Sequence, residues 1–285
     1  MLPLKKASSQ ISKYLFDIKD YAIVEEINKG GHGVIILVRC KLTGALYATK
    51  TNPLSKPMQC KHYIPREVRI LIQVHHPTII PCHGFSFVDF DNRKNITILM
   101  DYMKNGSLGD LIKKVMKGEP PNNYNNTKKQ IILIGVARGM MVLHKHHIIH
   151  RDLKPDNILL DDNLYPLITD FGISKFFNPY HSMSQSMGDN GTIAYMAPEF
   201  ICGEPFNTKA DVYSFGILMW ELLTGKQAYQ NFYDKKIGSF QLQKEIVQDG
   251  LRPKIEEGSM KKSFQVIIEK CLLKDPKERP TMSEI

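Results

Sequence analysis

The sequence predicts an α+β protein of two lobes, a small β-rich one followed by a larger, mainly helical one. Three observations carry that reading. Short β-rich runs alternate with turn residues from Tyr21 to about Asp101. After MKNGS the apolar residues switch to helical spacing. The 285 residues are enough for two lobes with a substantial core. The predicted organisation is a leader over 1–20, a first lobe over about 21–102 and a second over about 103–285, with the closing TMSEI lying inside a last helix that the chain does not complete.

Taken in order, YAIVEEI, VIILVRC, ALYATK, CHGFSFVDF and NITILMDY read as five strands, antiparallel because their connections are short. One helix interrupts them. Pro65 opens PREVRILIQV, where Val68, Leu71, Ile72 and Val74 recur at helical spacing. In the second lobe SLGDLIKKVMKG, TKKQIILIGVARGMMVLHKHH, ADVYSFGILMWELLTG, IGSFQLQKEIVQDG and SFQVIIEKCLLK read as helices. The low-complexity stretch KGEPPNNYNNT, 117–127, reads as a surface loop.

Composition narrows the function classes. At 42% apolar and 24% charged the chain is of ordinary globular type. Its net charge of +9 can serve nucleic acid, an anionic membrane or an acidic small ligand such as a polyphosphate, but it is scattered in KK pairs rather than blocked, which disfavours nucleic acid. Cys40, Cys60, Cys82, Cys202 and Cys271 form no CxxC pair, so they read as reduced thiols of an intracellular, cytoplasmic protein. The longest apolar runs, IILIGVA and FGILMW, fall far below the ~18 residues of a transmembrane segment.

The stretch INKGGHGVI, 27–35, lies between two predicted strands. Alone it is ordinary hairpin chemistry. Lys50 at the end of the third strand, and Glu67 on the first turn of the helix, change its meaning. An ion pair between them would aim an ammonium at a phosphate under the glycine loop. The deciding stretch is IIHRDLKPDNILL, 148–160, which fills H-R-D-L-x-x-x-N through His150, Arg151, Asp152, Leu153 and Asn157. Five fixed positions match by chance in about one chain in ten thousand of this length. Asp170-Phe171-Gly172 and then Ala197-Pro198-Glu199 follow in order.

These motifs resemble the eukaryotic protein kinase family over about Tyr21 to Ile285. The resemblance implies the two-lobed kinase fold, ATP as cosubstrate and Mg²⁺, or Mn²⁺ in its place, as metal. It implies that Asp152 takes the proton of the attacking hydroxyl and that Lys154 offsets phosphoryl charge. Asn157 and Asp170 would ligate metal. Lys50 would hold phosphate, braced by Glu67. Ile27, Ile35 and Ala48 would cover an adenine from above and Leu159 from below, with Met100 at the back and the main chain of Asp101 and Met103 on the purine edge. The loop itself would be Asn28, Gly30, Gly31 and Gly33, with Asn28 standing where the family places its first glycine. Asparagine tolerates left-handed backbone better than other non-glycine residues, so the substitution is expected to loosen nucleotide affinity or mobility of the lid without abolishing either. Glu199 with Arg279 would form a buried ion pair, and Asp211 would brace the catalytic loop through backbone amides.

Lys154-Pro155 resembles serine/threonine kinases, whereas DVYSFGILMWELLTG and YMAPE look like the tyrosine-kinase-like group among them. The expected partners are a protein substrate with a Ser or Thr hydroxyl, and regulatory domains or kinases acting in trans. A dual-specificity enzyme and a pseudokinase scaffold without turnover are the alternatives. For control, Arg151 calls for an anion, and the hydroxyls between Asp170 and Glu199 could carry one as phosphate. Ser174, Ser182, Ser184, Ser186 and Thr192 are the candidates, and the SMSQS cluster, Ser182, Ser184 and Ser186, is favoured over Thr192. Thr192 is expected to bond near Asp152 and Lys154.

Overall fold

Five β-rich runs join into one antiparallel sheet. The computed structural model describes residues 12–30, 33–52, 65–177, 192–235 and 237–285. Its strands β1 (Tyr21–Gly30), β2 (Gly33–Cys40), β3 (Leu46–Asn52), β4 (Cys82–Ser86) and β5 (Ile96–Asp101) lie in the order β1-β2-β3-β5-β4. Interior strand β5 is apolar and buried almost throughout, Thr97 being its one polar interruption. That Thr97 hydroxyl meets Thr51 of β3 at 3.0 Å, so the interruption is satisfied. Helix α1 (Arg66–Gln73) starts after Pro65, whose missing N–H costs nothing at a helix start. It buries Glu67, Val68, Ile70 and Leu71, with Ile70 inside where the sequence pattern pointed to Ile72. These elements form one compact unit, within Met1–His75 and Ile80–Lys104.

That unit also takes in chain ahead of β1. Leu15 bridges Phe85 in parallel, the Phe16 amide donates to the Phe85 carbonyl at 3.2 Å, and the Phe85 amide donates to the Tyr14 carbonyl at 2.8 Å. Residues 14–16 therefore cover the outer edge of β4.

The second unit, within His76–Ile79 and Asn105–Ile285, is mainly helical. It contains α2 (Leu108–Met116), α3 (Asn126–Lys145), α4 (Pro198–Ile201), α5 (Lys209–Thr224), α6 (Gln230–Asp234), α7 (Ser239–Val247) and α8 (Lys262–Cys271). Helix α2 opens on a reciprocal capping box between Ser107 and Asp110. Asn125 caps α3, so the helix starts at Asn126, inside the stretch that the sequence reads as loop. Helix α5 is buried from Ala210 to Leu222, as a helix apolar nearly all round must be. Two short antiparallel ribbons complete the unit. Strand β6 (Ile148–Ile149) pairs with β9 (Lys175–Phe176), and β7 (Ile158–Leu160) with β8 (Pro166–Ile168).

The described cysteines Cys40, Cys82, Cys202 and Cys271 are free thiols. Burial pushes Cys82 up to about 11 and Cys271 up to about 12, so both stay protonated and unreactive at neutral pH. Among the described residues no helix is long and apolar enough to cross a membrane.

Candidate active site

The catalytic loop grows out of the β6–β9 and β7–β8 ribbons. Between them, 150–157 form a tight excursion that side chains hold from below. Asp211, fully buried on α5, accepts the His150 amide through Oδ2 and the Arg151 amide through Oδ1, both at 2.9 Å. His144 of α3 adds a contact at 2.8 Å. Burial alone would push this carboxyl up. The His144 bond, the His144 and His150 charges and the Arg151 amide outweigh it, and Asp211 ends below the usual carboxylate range. It is a fixed anion under the loop. Arg151 takes left-handed backbone, φ 72°, which only a loop so held sustains in a long side chain.

Asp152 is buried and has two polar neighbours. Asn157 Nδ2 donates to its carboxylate at 2.8 Å and to its carbonyl at 2.7 Å, and Lys154 Nζ lies 2.8 Å from Oδ2. Lys154 also donates to Thr192 Oγ1 at 3.2 Å. The loop is thereby tied to the stretch before Ala197-Pro198-Glu199. Asn157 spends its amide nitrogen on Asp152, so its amide oxygen faces elsewhere. Its backbone carbonyl accepts the Thr169 amide at 3.0 Å, which brings Asp170 beside it at the same end of the β7–β8 ribbon. A carboxylate and an amide oxygen at one ribbon end suit a hard divalent cation. Asp170 is half-buried with φ 62°, a conformation asparagine and aspartate tolerate better than bulkier residues. His150 packs its ring 5.3 Å from Phe171 and lies 3.0 Å from the Thr169 carbonyl.

The segment after Thr192 is braced just as firmly. Glu199 and Arg279 form a two-pronged pair at 2.7 and 2.8 Å, with Arg279 almost fully buried. Tyr195 donates to Glu221 at 2.7 Å, and Glu221 also accepts the Ala228 amide at 2.7 Å. Burial pushes Glu221 above the usual carboxylate range.

In the first unit, register puts the expected nucleotide residues on one face. Ile35 is paired with both Asn28 and Lys50, and Ala48 with Met100. Directly paired residues share a face, and so do residues two apart. Asn28, Ile35, Ala48, Lys50 and Met100 are therefore on the same side. Lys50 meets Glu67 at 2.7 Å with both side chains buried. Ile27 is the extra residue of a β-bulge and is exposed. Met103 follows β5 half-buried, and Leu159 sits half-buried in β7 of the second unit.

Asn28 is an extended strand residue opposite Ile35 and is not among the positive-φ positions, so its tolerance of left-handed backbone is not called upon. The backbone does demand glycine at Gly33, φ 110°. Ser174 is fully buried and donates to the His150 carbonyl at 3.1 Å, so it is a structural hydroxyl. Gly31, Ser182, Ser184 and Ser186 lie outside the described residues. Sequence reasoning missed what surrounds Arg151: its guanidinium lies over the rings of Phe200 and Phe206, at 5.4 and 5.7 Å. It also missed the link from Tyr195 to Glu221. Both partners stand in stretches that were quoted, but no spacing rule joins them.

The protein kinase domain model matches residues 21–285. The chain belongs to the protein kinase family. Mitogen-activated protein kinase kinase 1 of Arabidopsis thaliana is 32% identical over 99% of this chain and 76% of its own length. Mitogen-activated protein kinase kinase SIPKK of Nicotiana tabacum is 31% identical, over 94% and 72%. Serine/threonine-protein kinase STY17 of Arabidopsis thaliana is 31% identical over 94% of this chain but 44% of its own. Protein kinases use ATP and a divalent metal and act on protein substrates.

Proposed function

We propose that this kinase transfers the γ-phosphoryl of MgATP to a serine or threonine hydroxyl of a protein. The observation that carries the reading is the set Asp152, Lys154, Asn157 and Thr192, joined by contacts of 2.7 to 3.2 Å. Asp152 accepts the hydroxyl proton as the acceptor oxygen forms its bond to the γ-phosphorus and the bond to the β-phosphate oxygen breaks. Lys154, already against Asp152, offsets the charge of the transferring group. Thr192 fixes that ammonium from the other side and shapes where the acceptor lies. Asn157 keeps the Asp152 carboxylate oriented while presenting its own oxygen outward. Asn157 and Asp170 would hold Mg²⁺, which supplies positive charge against the phosphates when bound. In the first unit Lys50 would meet phosphate, its position set by Glu67. Ile27, Ile35, Ala48 and Met100 would supply apolar surface for the adenine, and the main chain of Asp101 and Met103 would address the purine edge.

The test is a phosphorylation assay with generic protein acceptors and labelled ATP, followed by phosphoamino-acid analysis. Phosphoserine and phosphothreonine alone support the reading. Phosphotyrosine beside them turns it to the dual-specificity form. No transfer to any acceptor, with nucleotide binding retained, would overturn it in favour of a scaffold.

A further inference from the structure

The residues just ahead of the family's first strand are built into the first unit, and two routes lead from them to one side chain. The first is backbone. Tyr14 and Phe16 take up both hydrogen-bonding groups of Phe85, and the Tyr14 carbonyl lies so close over Gly84 that a Cβ there would come within 2.5 Å of it. The next residue back, His83, is the extra residue of a β-bulge, between the pairs Cys82–Met100 and Gly84–Leu99. Bulges re-aim a side chain. This one turns His83 onto Asp101, Nε2 to Oδ1 at 2.5 Å. The second route is aromatic. Phe16 meets Tyr21 edge to face at 5.4 Å, Tyr21 meets Tyr47 at 6.0 Å, and Tyr47 meets the His83 ring at 5.1 Å. The two routes close a ring of contacts that starts at Phe16 and ends on the residue after Met100.

From this closed ring we infer that residues 14–16 are a positioning segment for nucleotide binding. They pin the β4 bulge, the bulge aims His83, and His83 holds Asp101 so that its main chain meets the purine edge. The inference rests on the reading of Asp101 given above and assigns the family-external segment a part in choosing the base. None of the residues that act at a distance touches nucleotide. Phe16, Gly84 and His83 position; Asp101 contacts.

The two claims separate with a pair of nucleotides. Purine riboside triphosphate lacks the 6-amino group of ATP, so it cannot donate to the Asp101 carbonyl but keeps N1 as an acceptor, the ring and all three phosphates. KM for each is measured at saturating acceptor on the full chain and on Gly84→Ala, Phe16→Ala and His83→Ala. Wild type should favour ATP. Each variant should raise KM for ATP by about two- to tenfold, the span of one lost aromatic pair, and leave KM for purine riboside triphosphate and kcat nearly unchanged. Gly84→Ala is the strongest probe because its methyl group must displace the Tyr14 carbonyl. Phe16→Ala leaves β4 intact, so it answers if the first variant misfolds in a thermal melt. Should wild type fail to prefer ATP, the Asp101 reading falls and takes this inference with it. Should wild type prefer ATP while Phe16→Ala and His83→Ala keep the full preference, the Asp101 reading stands and residues 14–16 have no positioning role. Equal losses for both nucleotides, tracking a lower melting temperature, would mean that residues 14–16 only stabilise the unit.

Discussion

Strand β1 and the catalytic loop are the two stretches of this kinase richest in assigned residues, and they are held in opposite ways. In the loop, His150, Asp152 and Asn157 are buried, and Asp211 grips two successive amides from beneath. In β1 every residue after Tyr21 is exposed, Ile23, Val24 and Ile27 included, and two bulges interrupt its pairing with β2. The difference follows from what each stretch must do. A proton acceptor has to be placed to a fraction of an ångström before the reaction starts, so its carboxylate needs fixed partners. A strand that covers an adenine needs only apolar surface and a backbone that bends. Rigidity is concentrated where chemistry is proposed.

The comparison breaks first at Asp152. Asp152→Asn removes the proton acceptor but keeps the size and most of the contacts to Lys154 and Asn157. The expected result is a fall in kcat of at least about 10²-fold, within the range for general-base catalysis. Nucleotide binding, followed by thermal shift against ATP, should be nearly unchanged. An equal loss of nucleotide affinity would show that Asp152 serves binding, and the contrast with β1 would lose its basis.

Next in size is the frame behind the loop. Arg279 is 1% exposed and answered by Glu199 at 2.7 and 2.8 Å, with backbone carbonyls of Lys209, Leu273 and Lys274 around it. Glu199→Gln keeps the shape and leaves the guanidinium charge without a counterion. Stability should drop by about 3–5 kcal/mol, as for other buried pairs that lose one partner. Urea denaturation measures it. A loss below about 1 kcal/mol, the figure for exposed pairs, would mean that the helical unit does not depend on this clamp.

What could be read from sequence divides along the same line. The loop was legible because its chemistry is contiguous: His150 to Asn157 is eight residues of unbroken motif. Its support was legible only through resemblance, since Asp211 lies about sixty residues on and no periodicity points back to the His150 amide. The five strands of the first sheet are long enough to show as β-rich runs between turn residues, whereas β6 and β9, at two residues each, are too short to carry any pattern. Residues 14–16 escaped for the same reason: Tyr-Leu-Phe between polar neighbours is too short to show a period, and the bridge partner of Leu15, Phe85, is distant in sequence. Backbone conformation was the least legible property. Asn28, a residue type that tolerates left-handed geometry, is extended, whereas Arg151 and Asp170 adopt that geometry within the hydrogen-bonded catalytic region.

Asn28 is also where the smallest effect is expected, and it sharpens the comparison most finely. Asn28 pairs with Ile35 in extended backbone, so the missing first glycine of the loop costs the fold nothing locally. Gly33, with φ 110°, already supplies the turn that only glycine takes easily, and a Cβ at Gly30 would meet no protein atom within 4 Å. Restoring glycine at 28 therefore removes a side chain from an exposed strand and adds backbone freedom, a change worth roughly 0.5–1 kcal/mol in a strand. KM for ATP in Asn28→Gly should rise, and by less than about tenfold, with kcat unaltered. Steady-state kinetics at varied ATP decides it. A larger change would mean that β1 is held as tightly as the catalytic loop. An inactive wild type rescued by Asn28→Gly would mean that the asparagine, rather than the strand's exposure, governs nucleotide use.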